Sequence, residues 1–181
     1  MPAKALLVID IQIDNVKPSS PYPFPKEDVT RLLENTNRLI AHWQQQGNPV
    51  FLIRHNFDGF FGKFLSKLFL GGITIKGEPG VALDPRLKSD YGTVIDKTTQ
   101  DSFHKTDLAA HLQDLNLSKL YICGLDGAYC IAATAKGALN AGYKPILITD
   151  AIITNKAKRA AYLTRKLKQK GAMECLMSDI C

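Results

Sequence analysis

Apolar runs of strand length alternate with segments of helical period along the whole chain, and few folds accommodate that rhythm. Lys4 to Ile9 is a continuous apolar run, the pattern of a central parallel strand covered on both faces. Val29, Leu32, Leu33, Thr36, Ile40 and Trp43 then recur at helical spacing, with Gly47 where a helix would cap. Pro49 to Ile53 reads as a second strand, and Phe57 to Leu70 as a Phe-rich helix ended by Gly71-Gly72. Thr93 to Ile95 is a third strand and Thr106 to Leu115 a helix. Lys119 to Cys123 is a fourth strand, followed by a helix over about 128–141, with Gly142 as its cap. Lys144 to Thr149, a basic helix and Ala172 to Leu176 complete the series. Strands alternating with helices predict parallel βαβ units with right-handed crossovers. The expected fold is therefore α/β: a three-layer α-β-α arrangement around a doubly wound, mostly parallel sheet of about six strands. The 181 residues fit one domain spanning 1–181.

In open sheets of this kind ligands bind beyond the carboxyl ends of the strands, which says where chemistry belongs. Asp10 follows the first strand, Lys97 the third, and Cys130 lies just past the fourth at the opening of a helix. A cysteine at a helix N-terminus meets the positive end of the dipole, which favours the thiolate, and a nearby ammonium favours it further. A carboxylate can take the thiol proton and return it to a leaving group. Each residue alone also has a structural reading: Cys130 as core, Asp10 as a strand end or cap, Lys97 as a loop cation. Cys123, inside a strand, reads as core. Asp96 points away from Lys97, because neighbours alternate in extended chain. His55 and His104 follow strands two and three, so spacing leaves a Cys–His pairing open.

Charge narrows the class of partner. Of 23 basic residues, Lys156, Lys158, Arg159, Arg165, Lys166, Lys168 and Lys170 lie in one acid-free stretch. The other 16 face 17 acidic residues, so the rest of the chain is nearly neutral. Ala160, Leu163 and Leu167 share one helical face there, which makes the cations an outer, solvated face. Only one aromatic residue, Tyr162, interleaves with them, too few to stack successive bases, so no nucleic acid is expected. No apolar run approaches the ~20 residues of a membrane span. The start Met1-Pro2-Ala3-Lys4-Ala5 shows no signal-peptide pattern, which points to a cytoplasmic protein. Cys123, Cys130, Cys175 and Cys181 form no Cys-x-x-Cys pair, so no structural zinc is expected.

These motifs resemble the isochorismatase-like cysteine hydrolases, which include nicotinamidases and carbamoyl amidases. Val8-Ile9-Asp10-Ile11-Gln12 is similar to the family's first strand and its Asp-x-Gln. Lys97 with Asp101-Ser102-Phe103 and Thr106-Asp107-Leu108 is similar to its lysine motif. The longest match runs from Gly124 through Cys130-Ile131, Thr134-Ala135, Ala138 and Gly142-Tyr143 to Asp150-Ala151. The resemblance implies that Asp10, Lys97 and Cys130 form a triad. It also implies a cis peptide before Asp126, with the amides of Asp126 and Cys130 as an oxyanion hole. Gln12 and Phe103 are expected to line the substrate pocket, and a homo-oligomer, dimer or tetramer, is expected. The loop Leu125-Asp126-Gly127-Ala128-Tyr129 departs from the family pattern, and an acidic Asp126 would disfavour anionic substrates. The nicotinamidase-like metal site needs an Asp-x-His pair after strand two. Arg54-His55-Asn56 stands there instead, so neither metal nor cofactor is expected.

The leading expectation is hydrolysis of a C–N bond in a small-molecule amide through a Cys130 thioester. The alternatives are isochorismatase-type vinyl ether cleavage, which needs no thiol, and a small-molecule-binding α/β protein without catalysis. The second lacks the Gly-rich turn after strand one that phosphate binding would need.

Overall fold

A computed structural model describes residues 3–59, 64, 66–68, 71–115 and 117–181. Six strands form one sheet: β1 Ala3–Ile9, β2 Val50–His55, β3 Thr93–Lys97, β4 Leu117–Gly124, β5 Lys144–Ile152 and β6 Met173–Cys175. Their order is β3-β2-β1-β4-β5-β6, and every pairing is parallel. The helices are α1 Ile13–Val16, α2 Lys26–Gln45, α3 Leu108–Gln113, α4 Cys130–Asn140 and α5 Ala157–Lys168.

The period-two alternation of β1 divides the core. Leu6 and Val8 join Leu32, Leu39, Ile40 and Trp43 of α2 on one face. Ala5, Leu7 and Ile9 join Leu108 and Leu112 of α3 and Ile131, Ala135 and Ala138 of α4 on the other. A continuous apolar β1 is therefore what a strand covered on both sides requires. Small residues along α4 let it approach closely: a Cβ at Gly137 would sit 2.3 Å from the Asp101 carboxylate. The basic α5 buries only Leu167, so its cations are the expected outer face.

Half of the expected helix from Phe57 to Leu70 lies outside the described residues, and within the other half Gly59, Phe64, Ser66, Lys67 and Leu68 are helical. Phe57 itself is not helical: it bridges Ile75 and donates its amide to Thr74 O at 2.8 Å. Phe64 and Leu68, one helical turn apart, are 52% and 59% exposed. Among the described residues no helix is long and apolar enough to cross a membrane.

The chain winds from β1 outward to β3, then returns to place β4 on the other side of β1. The topological switch point thus lies between β1 and β4, where doubly wound sheets open a crevice. At that point β4 ends on Gly124, whose φ is +118°. A Cβ there would lie 2.2 Å from Ile9 O, so only glycine lets the two strand ends meet.

Candidate active site

Three strand ends deliver the polar groups. Asp10 follows β1 with φ +56°, a left-handed conformation that Asp tolerates better than most residues, and its amide donates to Ile53 O at 3.0 Å. Lys97 is the last residue of β3, and Cys130 is the first of α4. Lys97 Nζ lies 2.8 Å from Asp10 Oδ2 and 3.3 Å from Cys130 Sγ. Asp10 is 3% exposed and Lys97 1%, so the ion pair is shielded from water. Asp10 Oδ1 is buried and accepts no hydrogen bond. Asp96, next in chain to Lys97, is exposed and pairs with Arg54 at 2.8 Å, as alternation requires.

Burial works against the Lys97 charge, but the Asp10 carboxylate and the Cys130 sulfur outweigh it and hold the ammonium above its ordinary value. The thiol goes the opposite way from the sequence expectation. Burial pushes Cys130 up, the Asp10 carboxylate adds to this, and Lys97 only partly opposes it. The helix N-terminus and one cation do not outweigh desolvation next to a carboxylate, so the resting group is a thiol. Cys123, fully buried, is likewise pushed up to about 12 by burial.

Of the two histidines, only His55 reaches this edge. Its Nδ1 lies 3.4 Å from Lys97 Nζ, and its ring stacks on Phe57 at 4.5 Å. Burial, then the Lys97 ammonium, lower it to about 4, against the pull of Asp10 and the Thr98 carbonyl. It is therefore neutral at physiological pH. His104 is exposed, with its amide on Asp101 O. The Thr99 carbonyl, 3.2 Å from Lys97 Nζ, is a backbone partner that no side-chain pattern announces.

Two residues expected to line the pocket are engaged elsewhere. Gln12 Nε2 donates to His55 O at 3.0 Å and Val81 O at 2.7 Å, while its Oε1 accepts from His55 N at 2.8 Å. Both amide protons are thus taken by backbone, and Gln12 fastens β2 to the 79–81 turn instead of facing a ligand. Phe103 lies farther off. The segment after Lys97 runs along α4: Ser102 Oγ bonds Thr134 Oγ1 at 2.8 Å, Asp101 packs at Gly137, and the Phe103 ring lies tilted against Tyr143 at 6.0 Å. Tyr143 lies beyond the far end of α4, roughly 15 Å along the helix from Cys130. Phe103 therefore belongs to the packing of that helix, among partly buried residues around the core.

The Leu125–Asp126 peptide is cis, where the resemblance placed it. Gly127 N donates to Ile153 O at 3.0 Å, and Ile153 N donates to Gly124 O at 3.2 Å. The Asp126 carboxylate accepts from Ala128 N at 2.7 Å, from the Thr154 hydroxyl, and from Asn155 N at 3.3 Å. That carboxylate ties the loop to the β5–α5 junction. Arg159 adds a second fastening, with Nε on Ala128 O at 3.2 Å and its guanidinium over the Tyr129 ring at 5.1 Å. As the first residue of α4, Cys130 presents an amide with no acceptor inside the helix.

The chain matches the family model for the isochorismatase domain over residues 4–177. It is 31% identical over 154 residues to the uncharacterized isochorismatase family protein YddQ of Bacillus subtilis (strain 168), covering 83% of this chain and 77% of that one. It is 32% identical over 152 residues to a streptothricin hydrolase of Streptomyces noursei, covering 83% of this chain. The match takes in 50% of that relative, so this chain spans about half its length. The pyrazinamidase of Pyrococcus horikoshii, solved in complex with zinc, superposes with a TM-score of 0.81 at 25% identity, covering 97% of this chain and 99% of that one. The described residues do not suit such an ion here. Among the described residues, the one grouping of three or more side chains able to ligate a metal is Asp10, His55 and Cys130, whose ligand atoms lie within 4.8 Å of one another. Lys97 Nζ stands within 3.4 Å of all three, so an ammonium already holds the position of the cation. With the family model reaching from β1 past β6 and taking in all three strand-end side chains, the chain belongs to the isochorismatase family.

Proposed function

We propose that this chain is a cysteine hydrolase that cleaves the C–N bond of a small amide through an acyl thioester on Cys130. The observation that carries the reading is the Lys97 ammonium, which bridges the Asp10 carboxylate at 2.8 Å and the Cys130 sulfur at 3.3 Å inside a shielded site. The raised thiol fits this scheme. A proton moves from Cys130 to the unpartnered Asp10 Oδ1, and the negative charge moves from carboxylate to sulfur. The ammonium faces one negative charge before and after, so the transfer changes no net charge in a low-dielectric site.

The thiolate attacks the substrate carbonyl, forming the C–S bond as the carbonyl π pair moves to oxygen. The Asp126 and Cys130 amides hold that oxygen, a contribution of about 3–4 kcal/mol per donor in comparable sites. Collapse breaks the C–N bond, and Asp10 returns its proton to the departing nitrogen. Water then attacks the thioester with Asp10 as base, releasing the acid and restoring the thiol. The chain's relation to a streptothricin hydrolase and a pyrazinamidase supports a C–N substrate.

The test is a panel of primary amides, N-carbamoyl compounds and streptothricin, assayed for released amine with the wild type and Cys130→Ala. Turnover lost by at least a thousandfold in the variant, with a thioester adduct of Cys130 trapped by mass spectrometry, supports the reading. Turnover that survives Cys130→Ala rejects it and selects acid chemistry by Asp10 alone.

A further inference from the structure

A lysine ammonium carries three N–H donors and accepts nothing. Lys97 Nζ has four acceptors around it: Asp10 Oδ2 at 2.8 Å, Thr99 O at 3.2 Å, Cys130 Sγ at 3.3 Å and His55 Nδ1 at 3.4 Å. The site is over-subscribed by one. Asp10 carries a full charge and the shortest bond, and the Thr99 carbonyl is fixed by the chain. The remaining donor is contested between the sulfur and the imidazole.

We infer that His55 is the alternate acceptor for the third Lys97 N–H, taking it while Cys130 is a thiol or a thioester and yielding it when the thiolate forms. This rests on Cys130 being the nucleophile proposed above. A thiolate is a charged acceptor and competes well for the donor, whereas a thiol or an acylated sulfur is a poor one. Without a second acceptor the ammonium would carry a buried, unpaired N–H at those stages, and such a group relocates or disorders its neighbours.

The surroundings of His55 suit that role. Its backbone N and O are both gripped by Gln12, at 2.8 and 3.0 Å, and Phe57 stacks on its ring at an interplanar angle of 27°. It pairs in register with Lys97 across the β2–β3 ladder, so the lysine stem passes beside it on the way to Asp10. The imidazole is neutral at physiological pH, facing Lys97, Asp10 and the Thr98 carbonyl. Because an ammonium only donates, this role puts the lone pair on Nδ1 and the ring proton on Nε2, a buried atom without a hydrogen-bond partner among the described residues. His55 is thus a positioning residue: it acts on the reaction through Lys97.

The test needs no knowledge of the natural substrate. Iodoacetamide labelling of Cys130, mapped by mass from pH 5.5 to 9, reports the availability of the thiolate. Acylation by p-nitrophenyl acetate gives a burst of nitrophenolate followed by deacylation, in which water converts the acetyl thioester to acetate and thiol. His55→Met keeps the volume and the contact with Phe57 but offers no strong acceptor. The third N–H then falls to sulfur alone, so Cys130 labels about tenfold faster at pH 7, while deacylation slows about tenfold. His55→Gln, which restores an acceptor, returns both rates toward the wild type. Faster labelling combined with slower turnover is a split that simple loss of packing does not produce. Unchanged labelling in His55→Met, a fall in both rates together, or His55→Gln behaving like His55→Met overturns the inference. The imidazole nitrogen shifts of the wild type give an independent reading without any variant, and a ring protonated on Nδ1 at neutral pH overturns it as well. A wild-type Cys130 that neither labels nor acylates rejects the nucleophile itself, an outcome distinct from these.

Discussion

Removing both members of the buried Lys97–Asp10 pair should destabilise this protein far less than the two single removals added together. The two heads lie 2.8 Å apart with side chains 0% and 4% exposed. At that distance and an effective dielectric of about 20, their attraction is roughly 6 kcal/mol before desolvation is subtracted. Lys97→Met leaves the carboxylate buried beside no cation, with Oδ1 already lacking a partner. Comparable breaks of buried pairs cost about 3–5 kcal/mol. Asp10→Asn leaves the ammonium with only the neutral acceptors Thr99 O, Cys130 Sγ and His55 Nδ1, and falls in the same range. Asn also tolerates the left-handed backbone at this position, so strain does not confuse the comparison. The double variant contains no buried charge at the site and should lose about 3 kcal/mol less than the sum of the two singles. Urea unfolding at pH 7 of all four proteins, with unchanged m-values, gives the coupling directly. Single costs that add to within about 0.5 kcal/mol would refute the claim that this pair is an interdependent buried unit.

Two further outcomes follow from the geometry. His55 is held near 4 against an ordinary 6.5, so on acidification the unfolded chain takes up the proton first. The stability from the neutral ring is present above pH 6.5 and drains away as pH falls toward 4. Its full size is about 3 kcal/mol at 1.36 kcal/mol per unit; His55→Gln should lack this dependence, and unfolding free energies at pH 7.5 and 4.5 that change in parallel in the two proteins contradict it. Gly124→Ala places a Cβ 2.2 Å from Ile9 O and should cost about 3 kcal/mol or more, whereas Gly142→Ala, at φ +84° with nothing within 4 Å, costs only the backbone strain of about 1–2 kcal/mol. Melting temperatures of the two variants decide this, and equal losses would show that crowding at the β1–β4 switch point is not what Gly124 relieves.

The placement of Asp10, Lys97 and Cys130 at one edge was legible because parallel βαβ units send every strand the same way. Any residue after an apolar run then lies at the carboxyl edge, whatever the strand order. What was not legible depends on contacts between segments far apart in sequence. Gln12 looked like a ligand group by its place after β1, but its partners Val81 and His55 lie 69 and 43 residues away. Phe103 follows Lys97 closely in sequence, yet its ring lies near that of Tyr143, past the far end of α4. The ionisation of Cys130 departs from its sequence pattern for a similar reason. A helix N-terminus can be read from a pattern, whereas the burial and the neighbouring carboxylate that outweigh it exist only once the layers have closed.

Strand order also explains why the site is a cage and not a simple ion pair. Lys97 ends β3, Asp10 follows β1, and β2 lies between them, so the two backbones are about 10 Å apart. The lysine must cross β2 to reach its partner, and the residue it crosses beside is His55, its register partner. A lysine at the end of β2 would have met Asp10 over a shorter span, but it would have occupied the place of the imidazole. Putting the cation on the outer strand is what leaves room for a neutral acceptor between the two charges. The same arrangement requires that acceptor to stay uncharged, because a protonated ring 3.4 Å from the ammonium would oppose the ion pair it now supports.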